Sequence, residues 1–223
     1  MKIAILGNGR MGQHISKLAK KRGHTIACIS SSEKPAHTLD LNTTDVAIDF
    51  STPTSALTNI RHAINSGIPV ISGTTGWLEN LKEVKELCQE KQGAFLYASN
   101  FSLGMNIFFE LNKNLAKLME NQNYKSTIHE IHHTQKLDSP SGTAKTLGKQ
   151  MDEILKNNTP ITAKRIADET GTHTVTYRSS VDELEIKHTA NNRDGFAIGA
   201  IIAAEWIQNK QGVFNMQDIL AAQ

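Results

Sequence analysis

KIAILGNGRMG, residues 2–12, decides the fold of this chain, because a short apolar run leads directly into a loop with three glycines. The run Lys2–Leu6 has the length and composition of a buried strand, and a helical pattern follows the loop. Gly7 permits a tight turn, Gly9 lets the backbone approach a pyrophosphate, and Gly12 lets the helix pack close to the sheet. N–H groups at the start of that helix would bind phosphate oxygens. The stretch therefore predicts the first β-α unit of a dinucleotide-binding domain.

Strands and helices alternate through the first hundred residues. After the opening unit we predict further strands, separated by helices, at Thr25–Ile29, Val46–Phe50, Pro69–Ser72 and Ala94–Ala98. Thr52 is expected to cap the helix after the third strand, with Pro53 in the first turn of that helix. Strict alternation implies parallel pairing with right-handed crossovers, and ligands bind at the carboxyl ends of such strands.

The pattern changes after Phe101. We predict a helix over 104–119, a strand at Ser126–His133 and a helix that starts near Gly142. Three more strands follow with no helix between them, at Lys164–Ala167, His173–Ser179 and Glu183–Ala190. Two last helices, over Asp194–Gln208 and Asn215–Ala222, are expected to pack on the first domain. We therefore predict an α/β fold: a Rossmann-type doubly wound parallel sheet in residues 1–101 and 193–223, and a second, smaller α+β domain with a mixed sheet in residues 102–192.

The composition disfavours several classes of protein. With 39% hydrophobic residues the chain can bury a core, and its 24 basic and 22 acidic residues form no long run of one sign. Nucleic-acid binding requires clustered Lys and Arg, so we expect no nucleic-acid partner. No segment approaches the ~18 apolar residues of a membrane span, and the N-terminus lacks the apolar core of a signal peptide. Cys28 and Cys88 lack zinc-ligand spacing and are expected to be buried, reduced thiols, so the expected location is the cytoplasm.

The cofactor site is predicted at the carboxyl edge of the first sheet, where loops follow the strands. The glycine loop would lie near the pyrophosphate, and the turns after the fourth and fifth strands near the nicotinamide half of the cofactor. The candidate cofactor-binding residues of these loops are Gly7, Asn8, Gly9, Arg10, Met11, Gly12, Gly73, Thr74, Thr75, Ala98, Ser99, Asn100 and Phe101.

The tip of the second strand bears on the choice between NADH and NADPH. An acid there would bind the ribose 2′-hydroxyl, but the strand ends in Ser30, Ser31 and Ser32. These serines and Lys34 would accommodate a 2′-phosphate, whereas Glu33 would reach a hydroxyl. Both cofactors stay open, with a slight preference for NADPH or dual use, and Ser30 joins the candidate cofactor residues.

The second chemical signal is EIHHTQKLDSPSGTA, residues 130–144. On a strand, Glu130 and His132 would share one face, and His129 and His133 the other. A metal cage built from the three histidines would need the strand to be broken, so we predict no metal. Adjacent imidazoles that lead into a polar turn are well suited to exchange protons near neutral pH.

A proton donor and an anion pocket follow in the same motif. Lys136 can supply a proton or attract a carboxylate, and Asp138 is expected to orient it or the turn. Ser141, Gly142 and Thr143 open a helix, whose amide groups and Thr143 hydroxyl would form an anion pocket. Together with the imidazoles and the dinucleotide site, these residues point to the reduction of a small, negatively charged substrate.

These motifs resemble those of the dihydrodipicolinate reductase family. The family signature Glu-x-His-His-x-x-Lys-x-Asp-x-Pro-Ser-Gly-Thr-Ala is intact from Glu130 to Ala144, and the resemblance covers nearly the whole chain. Further matching segments are Asp49–Pro53, Gly73–Gly76, Asn100–Ser102, Leu184–Ile186, His188, Arg193 and Phe196–Ala200.

The resemblance implies NAD(P)H-dependent reduction of dehydrated 4-hydroxy-tetrahydrodipicolinate to tetrahydrodipicolinate, in lysine and diaminopimelate biosynthesis. It implies that His132 donates or accepts a proton, that Lys136 donates one, and that substrate carboxylates are bound by His133, Gly142 and Thr143. We add Ser141 to this substrate-binding set because it belongs to the same turn. The family also implies a Rossmann domain that includes the end of the chain, a smaller substrate domain, and usually a homotetramer.

Arg193, in the late matching segment, is assigned to the cofactor site. Two rival functions stay open. A related dehydrogenase could act on a diamino acid, although a cationic substrate would be repelled by this pocket. A non-catalytic dinucleotide-binding sensor would need the glycine loop but neither His132 nor Lys136.

Overall fold

The computed structural model describes residues 1–222, which contain ten strands and seven α-helices. The strands are β1 Lys2–Leu6, β2 Thr25–Ser30, β3 Val46–Asp49, β4 Val70–Ser72, β5 Ala94–Tyr97, β6 Lys125–His132, β7 Ile161–Arg165, β8 Thr172–Arg178, β9 Glu183–Thr189 and β10 Gly212–Phe214. The helices are α1 Arg10–Lys21, α2 Pro53–Asn65, α3 Leu81–Glu90, α4 Leu103–Met119, α5 Gly142–Leu155, α6 Asp194–Trp206 and α7 Met216–Ala221. Two units divide the chain: Met1–Leu103 with Asp194–Gln223, and Gly104–Arg193.

The first unit contains a six-stranded parallel sheet with the order β10-β5-β4-β3-β1-β2. The chain adds β2 on one side of β1 and β3 on the other, so the strand order reverses at β1. Such a reversal opens a crevice at the carboxyl ends of the strands. The predicted doubly wound parallel sheet is confirmed.

Helices cover both faces of this sheet. Ile3 and Ile5 pack in the core under α1, α6 and α7, whereas Ala4 and Leu6 pack in the core under α2 and α3. Side chains alternate between the faces of a strand, so a strand that is covered on both sides is apolar at every position. This is why the opening run of the sequence has no polar alternation.

The second unit contains a mixed four-stranded sheet with the order β7-β6-β8-β9, in which only the β6–β7 pair is parallel. Helices α4 and α5 pack on one face of this sheet, where Ile128 and Val175 meet Phe108 and Leu147. Along β6 the buried positions alternate with more exposed ones, as a sheet covered on one face requires. The predicted α+β unit with a mixed sheet is confirmed.

Several local predictions are wrong in detail. β7 was expected at Lys164–Ala167 but begins at Ile161, because Ile161 pairs with Ile128 and packs in the core. The Thr52 side chain does not cap α2; its hydroxyl bonds to neighbouring hydroxyl groups instead. The helix expected between the fourth and fifth strands is preceded by a 3-10 turn, Leu78–Asn80, and α3 itself begins at Leu81.

Strand β10 was not predicted, because its three residues are too short to carry a periodic pattern. Both cysteines are free, but only Cys88 is buried, whereas Cys28 is half-buried. None of the helices in residues 1–222 has the length and apolar character needed to cross a membrane.

Candidate active site

The glycine loop has the close contacts that the sequence predicted. Gly7 has a φ of +119°, and a Cβ there would lie 2.3 Å from the carbonyl oxygen of Phe50. A Cβ on Gly12 would lie 1.9 Å from the carbonyl oxygen of Gly7. A Cβ on Gly9, in contrast, would meet nothing within 4 Å. Two of the glycines are therefore needed by the fold, and the third faces open space at the uncapped N-terminus of α1.

A cavity of about 630 Å³ opens beside this loop. It extends from the glycine loop to the ends of β2 and β3 and to the start of α2, within the first unit. Its lining residues are Gly7, Asn8, Gly9, Ser30, Ser31, Ser32, Pro35, Ala36, His37, Phe50, Ser51, Thr52, Thr54, Ser55, Thr58 and Asn59. Its position at the reversal of strand order, with helix amides and small polar side chains, fits the adenosine and phosphate part of a dinucleotide.

Four of the predicted cofactor residues line this cavity: Gly7, Asn8, Gly9 and Ser30. The Ser30 hydroxyl also accepts a hydrogen bond from the Gly7 amide at 2.9 Å, so it fixes the loop. Most of the other lining residues were missed by sequence reasoning. His37 and its neighbours form a short 3-10 helix that no motif signals, and they reach the cavity only through the fold.

Other predicted cofactor residues of the glycine loop do not line the cavity. Arg10 is exposed, Met11 packs partly against the core under α1, α6 and α7, and Gly12 is buried under the loop. The turn after β4 is shaped by packing, since a Cβ on Gly73 would lie 2.3 Å from the Phe50 ring.

Asp49 organises the loops after β3 and β4. This fully buried carboxylate accepts hydrogen bonds from Ser51 Oγ, Asn59 Nδ2, Ser72 Oγ and Thr74 Oγ1, at 2.7–2.9 Å. Burial raises the pKa of Asp49, and the four hydrogen bonds oppose that rise. The Thr74 hydroxyl, a predicted cofactor contact, is therefore used inside the protein, whereas Thr75 is exposed.

The turn after β5 also has mixed roles. Phe101 is buried, lies 5.6 Å from the Phe50 ring, and its carbonyl oxygen would be 1.7 Å from a Cβ on Gly199. Ala98 packs partly against the core under α1, α6 and α7, and Ser99 is exposed. The Asn100 side chain accepts a hydrogen bond from the Ser102 amide, which fixes the turn.

The second unit holds the predicted proton site. His132 ends β6 and is 8% exposed, and its Nδ1 lies 3.0 Å from Glu130 Oε2 without the alignment of a hydrogen bond. Both side chains point to the buried face of the sheet, as the strand alternation predicted. On its other side the imidazole contacts Gly171, where a Cβ would lie 3.0 Å from His132 Nε2. The ring is therefore held between a carboxylate and a glycine.

Glu130 has several partners besides His132. Its Oε1 accepts hydrogen bonds from the Ser141 amide at 3.0 Å and from Arg165 Nη2 at 3.2 Å, and its Oε2 lies 3.7 Å from His173 Nε2. Burial favours the neutral acid, but the bonds from Ser141, the positive charge available at His132 and the bond from Arg165 outweigh it, so the pKa of Glu130 is lowered. Glu130 is thus ionised at neutral pH. Arg165 and His173 were missed because they come from distant strands.

The imidazoles of this site are shifted towards the neutral form. Burial lowers the pKa of His132; Glu130 raises it, and Lys136 and Arg165 lower it. Burial lowers the pKa of His173 to about 4, with a further contribution from His132. The two rings are close, with centroids 5.0 Å apart. His132 would therefore take up a proton most readily when further negative charge approaches.

The N-terminus of α5 lies beside Lys136. Lys136 Nζ is 2.7 Å from Asp138 Oδ1, and Asp138 Oδ2 accepts a hydrogen bond from the Gly142 amide at 3.2 Å. The Asp138 carboxylate thus bridges two groups that were predicted to bind a substrate carboxylate. Ser141 is buried, and its hydroxyl caps α5 by accepting from the Ala144 amide.

Of the remaining predicted substrate residues, Thr143 is half-buried in the first turn of α5. His133 lines a separate cavity of about 310 Å³ in the second unit, together with residues that include Asp168, Thr170 and Arg193. Arg193, which was predicted to bind cofactor, therefore lies beside a predicted substrate residue. The lining of that cavity does not include Lys136 or the α5 N-terminus.

A cluster of possible metal ligands differs from the one considered in the sequence. His129 points to the other face of the sheet and pairs with Thr162, whereas Glu130, His132 and His173 bring three donor atoms within 4.8 Å of one another. The neighbouring positive charges of Arg165 and Lys136 oppose a divalent cation there. The arrangement suits the holding and transfer of a proton better than metal binding.

Comparison with known proteins gives consistent matches. A family model described as "Dihydrodipicolinate reductase, N-terminus" matches residues 1–101, and one described as "Dihydrodipicolinate reductase, C-terminus" matches residues 104–220. The 4-hydroxy-tetrahydrodipicolinate reductase of Christiangramia forsetii is 50% identical over 99% of this chain and 98% of its own length. The enzyme of the same name from Neisseria meningitidis is 30% identical over 99% of this chain and 97% of its own.

A solved structure supports the fold. The dipicolinate-bound dihydrodipicolinate reductase of Paenisporosarcina sp. TG-14 matches with a TM-score of 0.80 over 98% of this chain and 99% of that one, at 20% sequence identity. At that identity the likeness concerns the fold alone.

Proposed function

The chain belongs to the dihydrodipicolinate reductase family, and from this premise we propose which of its residues carry out the reaction. Its activity is the NAD(P)H-dependent reduction of dehydrated 4-hydroxy-tetrahydrodipicolinate to tetrahydrodipicolinate, in lysine and diaminopimelate biosynthesis. The observation that carries the assignment of residues is the intact motif of residues 130–144, folded as a strand, a loop and a helix start.

The first unit binds the cofactor in this proposal. The reduced nicotinamide supplies the hydride that the reaction consumes. The Gly9 backbone and the first N–H groups of α1 would bind the pyrophosphate, since no side chain caps this helix and a Cβ on Gly9 would meet only open space. Ser30 and Asp49 keep the surrounding loops in place through their hydrogen bonds.

The second unit supplies the proton that balances the hydride. We assign His132 as proton donor or acceptor and Lys136 as proton donor, since both belong to one strand and the loop that follows it. Among the charged groups of residues 1–222, Lys136 Nζ pairs with the half-exposed Asp138 carboxylate alone, so a substrate anion can replace that partner. General acid catalysis of this kind contributes about 10²–10⁴-fold in rate.

The substrate is a small ring with two carboxylates, in keeping with the dipicolinate bound by the Paenisporosarcina enzyme. We propose that one carboxylate binds Lys136, the Gly142 amide and the Thr143 hydroxyl, where the Asp138 carboxylate lies now. His133 would bind the other. Ser141 contributes through the helix cap, since its hydroxyl and amide are both engaged inside the protein.

These roles are tested by following NAD(P)H absorbance with freshly prepared 4-hydroxy-tetrahydrodipicolinate as substrate. His132→Ala and Lys136→Ala should each lower kcat by at least about 100-fold, the lower end for a lost proton-transfer group. The Kd for the cofactor should stay unchanged, because neither residue lies in the first unit. Unchanged turnover in both variants would refute the assignment, and binding without any turnover in the wild type would favour a sensor.

For the cofactor we propose NADPH, or use of both cofactors. The cavity next to β2 contains three serines and His37, and no acid is among the residues that line it. A 2′-phosphate would find hydroxyl donors there and no fixed negative charge. His37→Asp should raise the KM for NADPH at least about tenfold relative to NADH, which corresponds to about 1.4 kcal/mol; His37→Asn is the uncharged control. Equal changes for both cofactors would contradict the proposal.

We also propose a homotetramer in the cytoplasm, as the family resemblance implies. Light scattering coupled to size exclusion would give the mass of the assembly, to be compared with the 24.5 kDa chain. A monomer would contradict the proposed tetramer. Recovery of the protein in the membrane fraction of its cells would contradict the proposed location.

A further inference from the structure

Glu130 is a fully buried carboxylate whose two oxygens have different surroundings. Its Oε1 accepts hydrogen bonds from the Ser141 amide and from Arg165, so that oxygen is satisfied. Its Oε2 has no aligned hydrogen-bond partner within residues 1–222, yet faces His132 Nδ1 at 3.0 Å and His173 Nε2 at 3.7 Å. A buried acceptor left in that state is costly unless a proton reaches it.

We propose that Glu130 holds His132 in place and supplies the counter-charge of its imidazolium form, while it ties the same site to the N-terminus of α5. This inference rests on the proposed function for its catalytic meaning. Glu130 would be a positioning residue: it contacts His132 but needs no contact with substrate. When His132 gains a proton, its Nδ1–H can turn towards Glu130 Oε2 over the 3.0 Å that now separates the two atoms.

The charged groups around His132 decide what this carboxylate does. Glu130 lies on the same strand, Arg165 on β7, and Lys136 and Asp138 in the loop after β6. His173 faces the ring from β8 and is itself kept neutral by burial. Two fixed cations therefore oppose protonation of His132, and Glu130 is the buried anion that offsets them.

The link to α5 gives Glu130 a second consequence. The Ser141 amide that it binds belongs to the cap of α5, and the next residue, Gly142, offers the amide proposed for the substrate carboxylate. One carboxylate thus fixes both the imidazole and the helix start in a common frame. Loss of its charge without loss of its shape would separate these two effects.

The test is the ring titration of His132, followed by NMR in the full-length protein with ¹³C-labelled histidine. His132→Asn assigns the signal. Glu130→Gln should lower the pKa of His132, because a neutral amide removes the buried negative charge that offsets Lys136 and Arg165. Glu153→Gln, an exposed position on α5, is the matched control and should leave that pKa unchanged. An unchanged or higher pKa of His132 in folded Glu130→Gln overturns the inference.

Turnover in the same variants separates this inference from the proposed function. Glu130→Gln should lower kcat about 10–100-fold, the range found when a carboxylate that orients a metal-binding histidine is removed, since the positioning role is the same. The alkaline limb of its pH profile should move to lower pH, with the NADPH Kd unchanged. If His132→Asn is inactive while Glu130→Gln keeps the wild-type rate and profile, the inference fails and the proposed function stands. If the ring pKa falls but His132→Asn turns over normally, the counter-charge role is supported and the proposed catalytic role of His132 fails.

Two measurements on the wild type cover the case in which Glu130→Gln does not fold. The carboxyl ¹³C signal of Glu130 should show that it stays ionised at about pH 4.3, the ordinary pKa of a glutamate side chain, because the pKa of Glu130 is lowered. Protonation of Glu130 at or above that pH overturns the inference. Stoichiometric binding of Zn²⁺ that abolishes the titration of His132 and His173 would also overturn it, since the carboxylate would then act as a metal ligand.

Discussion

Asp49→Ala is expected to remove a large part of the stability of the first unit. Three of the donors that Asp49 satisfies are buried: Ser72, Asn59 and Thr74. Each buried donor left without a partner costs about 1–3 kcal/mol, so the substitution should cost about 3–9 kcal/mol in total. Proteins have a free energy of unfolding of about 5–15 kcal/mol, so this loss would be a large share of it.

Tryptophan fluorescence gives a specific assay for this change. The two tryptophans of the chain, Trp77 and Trp206, both lie in the first unit, and the Trp77 indole donates to the carbonyl oxygen of Thr74. Urea unfolding typically has a slope of about 1–3 kcal/mol per molar, so a loss of about 3 kcal/mol lowers the midpoint by at least about 1 M.

Asp45→Ala is the matched control for Asp49→Ala. Asp45 is exposed and its side chain accepts one hydrogen bond, from the Lys2 amide, so the loss of that carboxylate should cost less than about 1 kcal/mol. A midpoint for Asp49→Ala as high as that of Asp45→Ala would refute the reasoning that the buried donors depend on this one carboxylate.

Three further outcomes are expected. Gly9→Ala should change the free energy of unfolding by less than about 1 kcal/mol yet weaken NADPH binding in a fluorescence titration. Gly12→Ala should also destabilise the protein, by about 1–3 kcal/mol. Equal NADPH affinity in the wild type and in Gly9→Ala would contradict the placement of the pyrophosphate. Asp138→Asn should lower the substrate KM, because a competitor for Lys136 loses its charge. The expected change is up to about fivefold, which corresponds to the interaction energy of an exposed ion pair. A higher KM in the steady-state assay would instead mean that Asp138 orients Lys136. His173 has a pKa of about 4 in the folded state, below its unfolded value, so the stability it contributes is present above about pH 6.5 and is lost as the pH falls towards 4. Between pH 7 and pH 5 the free energy of unfolding of the wild type should therefore fall by about 2 kcal/mol more than that of His173→Gln, as measured by urea unfolding followed by circular dichroism. Equal losses in the two proteins would argue against a buried, neutral ring.

Patterns of local origin were predictable from the sequence. β1 and the glycine loop were predicted because a strand covered on both faces is apolar throughout and because close backbone contacts admit only glycine, as at Gly7 and Gly12. The common face of Glu130 and His132 followed from strand alternation. The catalytic and binding roles of the candidate residues stay predictions, and the geometry now makes each of them testable.

Other features depended on contacts between distant segments. Ser141 has the sequence context of an anion pocket, but its hydroxyl and amide are engaged by α5 and by Glu130. Arg193 was placed with the cofactor, but lies in a cavity beside His133. Neither outcome could be read from spacing, because a side chain's free hydrogen-bonding capacity depends on which groups the fold brings to it.

By itself the sequence determined the α/β and α+β halves, the glycine loop and the proton motif, because periodicity, turn chemistry and short-range spacing act within a few residues. Only the tertiary structure decided that Arg165, Gly171 and His173 surround Glu130 and His132, since β7 and β8 reach β6 through sheet pairing across some forty residues of chain. Burial then set the protonation of these groups, and burial is a property of the folded chain and not of any one segment.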